Sequence, residues 1–346
     1  MAQAIPPMAQ KNQHQLMAGI ALVLASLLLA RPASAQPPFE QWLAEFAAEA
    51  IVQGISEPVV RSALKGVTPI QKILDRDRNQ PEFTLRLDSY MSRFLTPENI
   101  GAGRAMLQKH ATLLNAVSKK YNVQPRFIVA IWGIETRYGA IKPGTPVIPA
   151  LATLAWDRRR PEFFRNELLA ALRILDAGDI ALPRMQGSWA GAMGQPQFLP
   201  SSYIKYAQDW DGDGKRDIWD NQGDVFASIA NYFARQGWSA QQTWGRPVRL
   251  PGGKLALRKR PGNSGCRAID QLTAAGPLAQ WQAMGVRRFD GEDLPRRDVP
   301  ASLALPEGEN GPAFIVYGNY EILLRYNCAH FYALTAGRLA DLITGG

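Results

Sequence analysis

The chain has 346 residues, of which 46% are hydrophobic and 20% are charged, and its formal net charge is +9. This composition excludes a disordered chain, and the length is sufficient for two domains or one large domain. After the N-terminal region, no apolar run reaches the roughly 18 to 20 residues that span a bilayer. The sequence therefore predicts a folded protein without an internal membrane helix.

Residues 1–35 have the features of a secretory signal peptide. A weakly basic start is followed by an apolar stretch from Leu16 to Ala30 and then by Ala33-Ser34-Ala35. We therefore expect cleavage after Ala35 and a periplasmic mature protein, with a retained membrane anchor as the alternative. The residue directly after the cleavage point is Gln36 and not a cysteine that could carry a lipid, so we expect no stable membrane anchor after cleavage.

The net charge indicates which polymers the mature protein could bind. Loss of Lys11 and Arg31 with the signal peptide lowers the net charge from +9 to +7. A diffuse positive field suits an anionic polymer or a membrane surface, although a solvated surface without a partner would look the same. We expect no nucleic-acid partner, because the protein is exported.

Residues 38–244 have a helical pattern. Three helix starts are recognisable: Ser56 as an N-cap, Thr96–Pro97 with proline at the first helical position, and Pro125. We expect the third of these helices to run to Tyr138 and to end at the glycine that follows.

The pattern changes between residues 246 and 319. Short runs such as Val248–Leu250 and Phe314–Tyr317 are bounded by proline and glycine. Alternation and turn residues at this spacing predict a small strand-rich α+β insertion. The helical period returns over residues 320–346, which predicts one C-terminal helix that packs back on the helical body. The predicted fold class is therefore mainly α (α+β).

Glu135 is the strongest candidate for a catalytic residue. The sequence has no HExxH pair, P-loop lysine motif or G-x-S-x-G elbow, so zinc hydrolysis, nucleotide chemistry and serine-esterase chemistry lack their parts. Residues 128, 131, 132 and 135 share one helical face, which places Glu135 on an apolar stripe in the last helical turn. Burial and the negative end of the helix dipole both favour the protonated acid, the form that a general acid needs. A structural glutamate paired with Arg137 or Arg165 is the alternative.

The segment Gly187–Phe198 is a second candidate feature. It combines three glycines with the polar residues Ser188, Gln195 and Gln197. Glycine lets the backbone approach a ligand closely, while hydroxyl and amide groups supply hydrogen bonds. The segment therefore predicts a binding surface, with a tight helix–helix contact as the alternative.

Residues 209–220 match the spacing of an EF-hand calcium loop, with acids at positions 1, 3, 5, 9 and 12 and glycine at position 6. Alternate carboxylates converge on one cation, and the carbonyl at position 7 joins them. Aspartate replaces the usual glutamate at position 12, so we expect weaker calcium binding or more tolerance of magnesium. We expect a structural Ca²⁺ ion and no organic cofactor. The predicted ligands are Asp209, Asp211, Asp213, the carbonyl of Lys215, and Asp220.

Cys266 and Cys328 are the only cysteines in the chain. An oxidising compartment would allow a disulfide between them, whereas two buried free thiols are the alternative. We predict the disulfide, which would tie the insertion to the segment that follows Asn327.

Taken together, these segments resemble the membrane-bound lytic transglycosylase B family of bacterial murein-cleaving enzymes. The matching motifs are collinear and extend over nearly all of the mature chain. They are Tyr90 with Phe94–Pro97, Phe127–Val129, Glu135–Gly139, Ala150–Leu154, Arg159–Phe164, Gly187–Tyr203, the loop at 209–220, Ala230–Phe233 and Arg325–Asn327.

The resemblance implies a lysozyme-like helical catalytic core, with residues 36–245 as the catalytic domain. It also implies that Glu135 is the catalytic residue. The chain departs from some members of the family at Asp211, where they have serine, and this adds charge to the predicted cation site. The residues that match groups lining the glycan groove are Tyr90, Ser188, Gln197, Tyr232, Asn327 and Tyr332.

The resemblance further implies a reaction. Lytic transglycosylases cleave the β-1,4 bond between N-acetylmuramic acid (MurNAc) and N-acetylglucosamine (GlcNAc) in peptidoglycan and leave a 1,6-anhydro-MurNAc end. One glutamic acid acts as both acid and base, and the acetamido group can stabilise the cationic intermediate. No aspartate follows Glu135 at a short spacing, which fits a single carboxylate. The alternatives are a hydrolytic muramidase and a non-catalytic envelope protein that binds peptidoglycan.

Overall fold

The computed structural model describes residues 36–78, 85–252 and 255–345. The predicted signal peptide, residues 1–35, lies outside the described residues. Among the described residues, no helix combines the length and the apolar character that crossing a bilayer would need.

About half of the described chain is α-helical. The α-helices are α1 Phe39–Val52, α2 Glu57–Leu64, α3 Gln71–Arg78, α4 Leu87–Met91, α5 Pro97–Lys109, α6 Ala111–Tyr121, α7 Pro125–Thr136, α8 Val147–Trp156, α9 Pro161–Asp176, α10 Pro200–Tyr206, α11 Gln222–Arg235, α12 Arg267–Asp270, α13 Leu278–Ala283, α14 Gly318–Tyr326 and α15 His330–Leu342.

The starts of several helices follow from local sequence. Proline lies in the first turn of α5, α7, α9 and α10, where its missing N–H group has no intrahelical partner in any case. Helix α5 begins at Pro97, as predicted, and the hydroxyl of Thr96 caps it by accepting a hydrogen bond from the backbone N–H of Asn99 at 3.2 Å. Ser56 precedes α2 as predicted, but its hydroxyl donates to Asp176 and does not cap the helix.

Helix α7 lies in the main hydrophobic core. Every residue from Phe127 to Ile134 is buried, and the helix packs against α5, α11 and α15. The apolar face predicted from residues 128, 131, 132 and 135 is buried, but the burial also extends around the rest of α7 along this stretch. Glu135 lies at the end of this buried stretch and is itself partly exposed.

One 3-10 helix, Leu182–Arg184, and seven strands complete the described elements. The short strands β1 and β2 pair with each other, and the remaining strands form an antiparallel sheet in the order β4-β6-β7-β3-β5. The strands are β1 Thr145–Pro146, β2 Gln186–Gly187, β3 Gly245–Arg249, β4 Gly276–Pro277, β5 Arg287–Arg288, β6 Pro300–Ala304 and β7 Ala313–Val316.

Both faces of the five-stranded sheet are covered. Alternate residues of a strand point to opposite faces, so Phe314 and Val316 of β7 join the main core. Ile315 of the same strand faces the other way and joins a second, smaller core with Leu303 and Trp281. The sheet therefore packs on the helical body through one face and on its own small core through the other.

The C-terminal segment forms two helices and not the single helix that was predicted. Helix α14 ends at Tyr326, α15 begins at His330, and Asn327 and Ala329 between them are extended. Cys328 in this break forms a disulfide with Cys266, with 5.7 Å between their Cα atoms, which confirms the predicted bridge. The break contains neither glycine nor proline, so helical periodicity alone could not locate it.

Candidate active site

Glu135 lies in the last turn of α7, where the chain turns sharply. The helix ends at Thr136, two residues before the predicted end, and Arg137, Tyr138 and Gly139 have φ angles of 48°, 59° and 78°. Left-handed backbone is unfavourable for residues other than glycine and persists only where packing holds it, often at functional sites. The sharp turn therefore requires strong local packing immediately after Glu135.

The side chain of Tyr138 provides that packing. Its ring occupies a slot between α5 and α7, where a Cβ atom on Gly103 or Gly133 would lie 2.6 Å or 2.5 Å from the tyrosine ring or hydroxyl. Its hydroxyl donates to the carbonyl of Asn99 at 2.9 Å. Any larger residue at Gly103 or Gly133 would therefore clash with Tyr138. The packed tyrosine fixes the end of α7, which carries Glu135.

The environment of Glu135 favours a protonated carboxyl group. The Tyr332 hydroxyl on α15 donates a hydrogen bond to Glu135 Oε1 at 2.6 Å. Burial raises the pKa of Glu135 to about 7, and the hydrogen bond from Tyr332 opposes this rise by stabilising the carboxylate. Glu135 nevertheless keeps partial exposure to solvent, so a substrate can reach it.

Among the described residues, no charged group contributes to the pKa shift of Glu135. In the part of the chain that the structure describes, burial and Tyr332 are the only causes of its pKa shift. Arg165, one partner considered for a structural ion pair, pairs with Glu49, and the side chain of Arg137 is exposed. Neither a second carboxylate nor an arginine therefore controls the charge of Glu135 among the described residues.

Three tyrosines form an aromatic wall that leads away from Glu135. The rings of Tyr332 and Tyr326 stack in parallel at 6.4 Å, and Tyr232 packs edge-on against Tyr326 at 4.8 Å. The Tyr232 hydroxyl donates to the carbonyl of Arg325 and the Tyr326 hydroxyl to that of Pro196, both at 2.6 Å. Tyr232 is buried, so its ring supports Tyr326 from within the wall.

Tyr326 was missing from the residues assigned to the site, although it lies in one of the matching motifs. Asn327, the next residue, is exposed in the break between α14 and α15. Tyr90 packs on Phe331 with 5.8 Å between ring centroids. Burial is the main cause of the raised pKa of Tyr332, and Tyr90 adds to it. These predicted residues are thus arranged around the two ends of the α14–α15 break.

The segment Gly187–Phe198 consists of tight turns and not of a helix–helix contact. Backbone hydrogen bonds of 2.7 Å and 3.1 Å join Met193 to Phe198 and enclose a four-residue turn. Within this turn Gln197 has a φ angle of 52°, and its amide donates to the carbonyl of Gly194 at 2.8 Å. The turn therefore fixes the position of the Gln197 side chain.

Ser188 occupies the first of these turns. Its hydroxyl oxygen accepts hydrogen bonds from the backbone N–H groups of Ala190 at 3.3 Å and Ala192 at 3.1 Å. Because the oxygen accepts twice from the protein, its own proton remains available to donate to a ligand.

The loop at residues 209–220 brings three of its predicted ligands together. Carboxylate oxygens of Asp209, Asp211 and Asp213 lie within 4.8 Å of one another. The backbone N–H groups of Gly214 and Gly212 donate to Asp209 at 2.9 Å and 2.7 Å, which lowers the pKa of this carboxyl group. A cluster of ionised oxygen donors is the ligand type that calcium and magnesium prefer.

Asp220 lies outside this cluster, which differs from the prediction. Its carboxylate forms ion pairs with Arg184 at 2.7 Å and Lys142 at 3.1 Å, and these two cations lower its pKa. Both partners come from segments outside the loop, so the loop sequence gave no sign of this competition. Lys215, whose carbonyl was the other predicted ligand, follows the cluster and donates its N–H to Asp213 at 2.8 Å.

Asp224 is a fourth carboxylate beside the cluster that the loop pattern missed. It is fully buried and accepts hydrogen bonds from the backbone N–H groups of Trp210 at 2.8 Å and Asp217 at 2.6 Å. Burial raises its pKa to about 6, and Asp211 and Asp209 contribute to the rise. Asp224 thus connects the start of the loop, at Trp210, to its second half, at Asp217. Its place in the first turn of α11, after the Asn221 cap, was the only signal in the sequence.

Comparison with known proteins identifies the family. The family model described as "Transglycosylase SLT domain" matches residues 38–341. The chain belongs to the transglycosylase SLT family. It is 34% identical over 261 residues to the membrane-bound lytic murein transglycosylase B of Escherichia coli strain K12, a match covering 73% of this chain and 66% of that protein. The family resemblance drawn from the motifs is thereby confirmed.

Solved structures of SLT-family proteins have the same fold. SltB3 from Pseudomonas aeruginosa in complex with NAG-anhNAM-pentapeptide is 45% identical, with a TM-score of 0.81 over 89% of this chain and 80% of that one. The Escherichia coli lytic transglycosylase Slt35 in complex with calcium is 27% identical, with a TM-score of 0.72 over 87% and 92% of the two chains. The mainly helical SLT fold with a small antiparallel sheet is thus the fold of this chain.

Proposed function

We propose that this SLT-family protein is a lytic transglycosylase of peptidoglycan, with Glu135 as its single acid and base. The observation that carries the proposal is the pKa of Glu135, which burial raises to about 7 with no contribution from a second carboxylate among the described residues. A group with this pKa gives up and takes back a proton at neutral pH with little free-energy cost. The relatives named above are lytic transglycosylases, which supports the same reaction here.

The first step breaks the glycosidic bond. Protonated Glu135 donates its proton to the oxygen between MurNAc and GlcNAc, and the electron pair of the C1–O bond leaves with GlcNAc. The acetamido oxygen of MurNAc stabilises the positive charge at C1. The hydrogen bond from Tyr332 stabilises the carboxylate that this proton transfer produces.

The second step closes the anhydro ring. The 6-hydroxyl oxygen of the same MurNAc attacks C1, and the Glu135 carboxylate accepts the hydroxyl proton. Glu135 is thereby protonated again, and no water is consumed. A hydrolytic muramidase, the runner-up, would differ only in using water at this step.

Six residues are the proposed glycan contacts. Ser188 has a hydroxyl proton available to donate, and the exposed Asn327 lies at the α14–α15 break. Aromatic rings stack well on sugar faces. The complex of SltB3 with NAG-anhNAM-pentapeptide supports a glycan ligand for this groove. The proposed contacts are Tyr90, Ser188, Gln197, Tyr232, Asn327 and Tyr332.

We further propose that the 209–220 loop binds a structural Ca²⁺ ion. Asp209, Asp211 and Asp213 would hold it, with the Lys215 carbonyl as a fourth ligand and Asp224 adding negative charge. The calcium complex of Slt35 supports a calcium site in a relative. The ion would stabilise the loop and take no part in bond cleavage.

The proposed organisation follows the sequence expectations. Residues 36–245 would form the catalytic domain and 320–346 its returning C-terminal part, with residues 246–319 as the insertion. Residues 1–35 would direct export to the periplasm, where peptidoglycan is located.

Mass spectrometry of digested sacculi tests the proposed reaction. Purified sacculi incubated with the mature protein should release muropeptides one water lighter than those of a hydrolytic muramidase. Glu135→Gln serves as the inactive control under the same conditions. Products of full hydrated mass would replace the proposal with the muramidase mechanism, and no products at all would favour a non-catalytic binder.

A further inference from the structure

The side chain of Gln195 is turned into the protein and not toward a ligand. It is 9% exposed, and its amide oxygen accepts from the indole N–H of Trp132 at 2.6 Å and from Gln222 at 3.0 Å. Its amide nitrogen donates to the carbonyl of Trp219 at 2.8 Å. A buried amide engaged at both ends is rigid, because each lost bond would leave a buried polar group unpaired.

The backbone of Gln195 extends the same connection. Its N–H donates to the carbonyl of Ile218 at 2.8 Å, and its carbonyl accepts from the hydroxyl of Thr136 at 3.1 Å. Thr136 directly follows Glu135 on α7. A Cβ atom on Gly139 would lie 2.6 Å from Gln195 Oε1, so the sharp turn after α7 packs directly on this amide.

The residue after Gln195 reaches the other side of Glu135. The carbonyl of Pro196 accepts from the Tyr326 hydroxyl at 2.6 Å. Tyr326 stacks on Tyr332, and Tyr332 donates to Glu135. Gln195 and Pro196 are therefore connected to Glu135 in two ways. Gln195 contacts the end of α7, the helix that carries Glu135, and Pro196 is linked through Tyr326 to Tyr332, the hydrogen-bond partner of Glu135.

We infer that Gln195 is a positioning residue that holds Glu135 and its tyrosine partner in their reactive arrangement. The inference rests on the proposed function of Glu135. Gln195 acts through Trp132, Thr136 and the tyrosine wall, and it touches no substrate itself. Displacement of a reacting group by about 1 Å can cost on the order of 100-fold in rate, so loss of these bonds should lower kcat much more than it raises KM.

A matched control exists at the opposite end of α7. Gln124 accepts from the indole N–H of Trp238 at 2.6 Å and donates to the carbonyl of Ala240 at 2.6 Å. It repeats the tryptophan–glutamine–carbonyl arrangement far from Glu135. Gln124→Met and Gln195→Met thus remove equivalent hydrogen bonds, with similar side-chain volume, from the two ends of one helix.

Steady-state kinetics across pH test the inference. Gln195→Met should lower kcat by about 100-fold and move the alkaline limb of kcat/KM to lower pH, because water that enters the loosened site relieves the burial of Glu135. Both variants should lower the melting temperature by similar amounts, but Gln124→Met should leave the alkaline limb of kcat/KM in place. If Gln195→Met does not fold, Trp132→Phe removes the same indole N–H donor and should shift the limb in the same direction.

The outcomes separate this inference from the proposed function. Equal kinetic losses in both glutamine variants, with unchanged pH profiles, would reduce Gln195 to a general stabilising residue and overturn the inference. Wild-type kcat in Gln195→Met, with Glu135→Gln inactive, would do the same and leave the proposed function intact. Full activity of Glu135→Gln would instead refute the proposed function.

Discussion

Tyr332 and Glu135 form a 2.6 Å hydrogen bond between residues 197 positions apart in the sequence. The bond joins α15 to the end of α7, and it opposes the effect of burial on the same carboxyl group. Burial favours the neutral acid, while the phenol donor favours the carboxylate. The pKa of about 7 that results suits a group that must act first as an acid and then as a base.

The activity should decline at alkaline pH. A general acid works in its protonated form, so kcat/KM should be constant well below pH 7 and fall tenfold per pH unit well above it. Tyr332→Phe removes the donor that lowers the pKa, so the alkaline limb should move to higher pH. Tyr320→Phe is the control, because the Tyr320 hydroxyl bonds to His330 at 2.9 Å and not to Glu135. An unchanged limb in Tyr332→Phe would contradict the assigned role of the bond.

Substitution of Glu135 by glutamine should abolish most activity. Glutamine preserves size and hydrogen bonding but cannot donate an acidic proton, so turnover of sacculi should fall about 100-fold or more. Glu167→Gln is the control, since Glu167 is also buried but holds Ser201 at the start of α10. That variant is expected to lose stability without a comparable loss of turnover per folded molecule.

Glu135→Gln should also stabilise the protein at alkaline pH. The pKa of Glu135 is about 7 in the folded state against 4.5 as its ordinary value, so its contribution to stability is full below pH 4.5 and is lost as pH rises to 7. Glutamine does not ionise and avoids this loss. Urea unfolding should give the variant a gain of roughly 1–3 kcal/mol at pH 8 and a smaller one at pH 5. Equal gains at both pH values would contradict the raised pKa.

Local sequence patterns predicted the candidate site better than they predicted long-range contacts. Pro125 and the apolar run after it located α7, and the motif around Glu135 located the carboxyl group. The unbroken apolar run from Phe127 to Ile134 is typical of a helix that is buried on all sides, whereas the spacing of residues 128, 131, 132 and 135 indicated only one apolar face. The α14–α15 break was also missed, since it is held by a disulfide to Cys266 and not by glycine or proline.

Asp220 illustrates the same limit for charges. Its spacing within the loop is that of a cation ligand, yet its carboxylate forms ion pairs with Arg184 and Lys142 in the structure. Neither partner is recognisable from the loop sequence. Residue types and their local spacing are encoded locally, whereas the choice between competing partners depends on the folded arrangement.

Removal of the cation should lower thermal stability. A ligand that binds only the native state stabilises it by mass action, so chelator should lower the melting temperature and added calcium should restore it. Asp213→Asn should weaken this calcium response strongly, because Asp213 belongs to the carboxylate cluster. Asp220→Asn should weaken it much less, because Asp220 is paired with two cations. A melting temperature that neither chelator nor added calcium changes would rule out a bound ion.

Loss of the Cys266–Cys328 disulfide should loosen the insertion before the helical body. The bridge closes a loop with a sequence separation of 62, and the chain-entropy model assigns such a loop about 4 kcal/mol of stability. It also anchors the break between Asn327 and α15, so the double variant Cys266→Ser/Cys328→Ser should raise KM for glycan. Hydrogen exchange should accelerate first in residues 246–319, and reductant should reproduce this in the wild type but not alter the double variant. Exchange that accelerates first in α7 would show that the bridge holds the helical body instead.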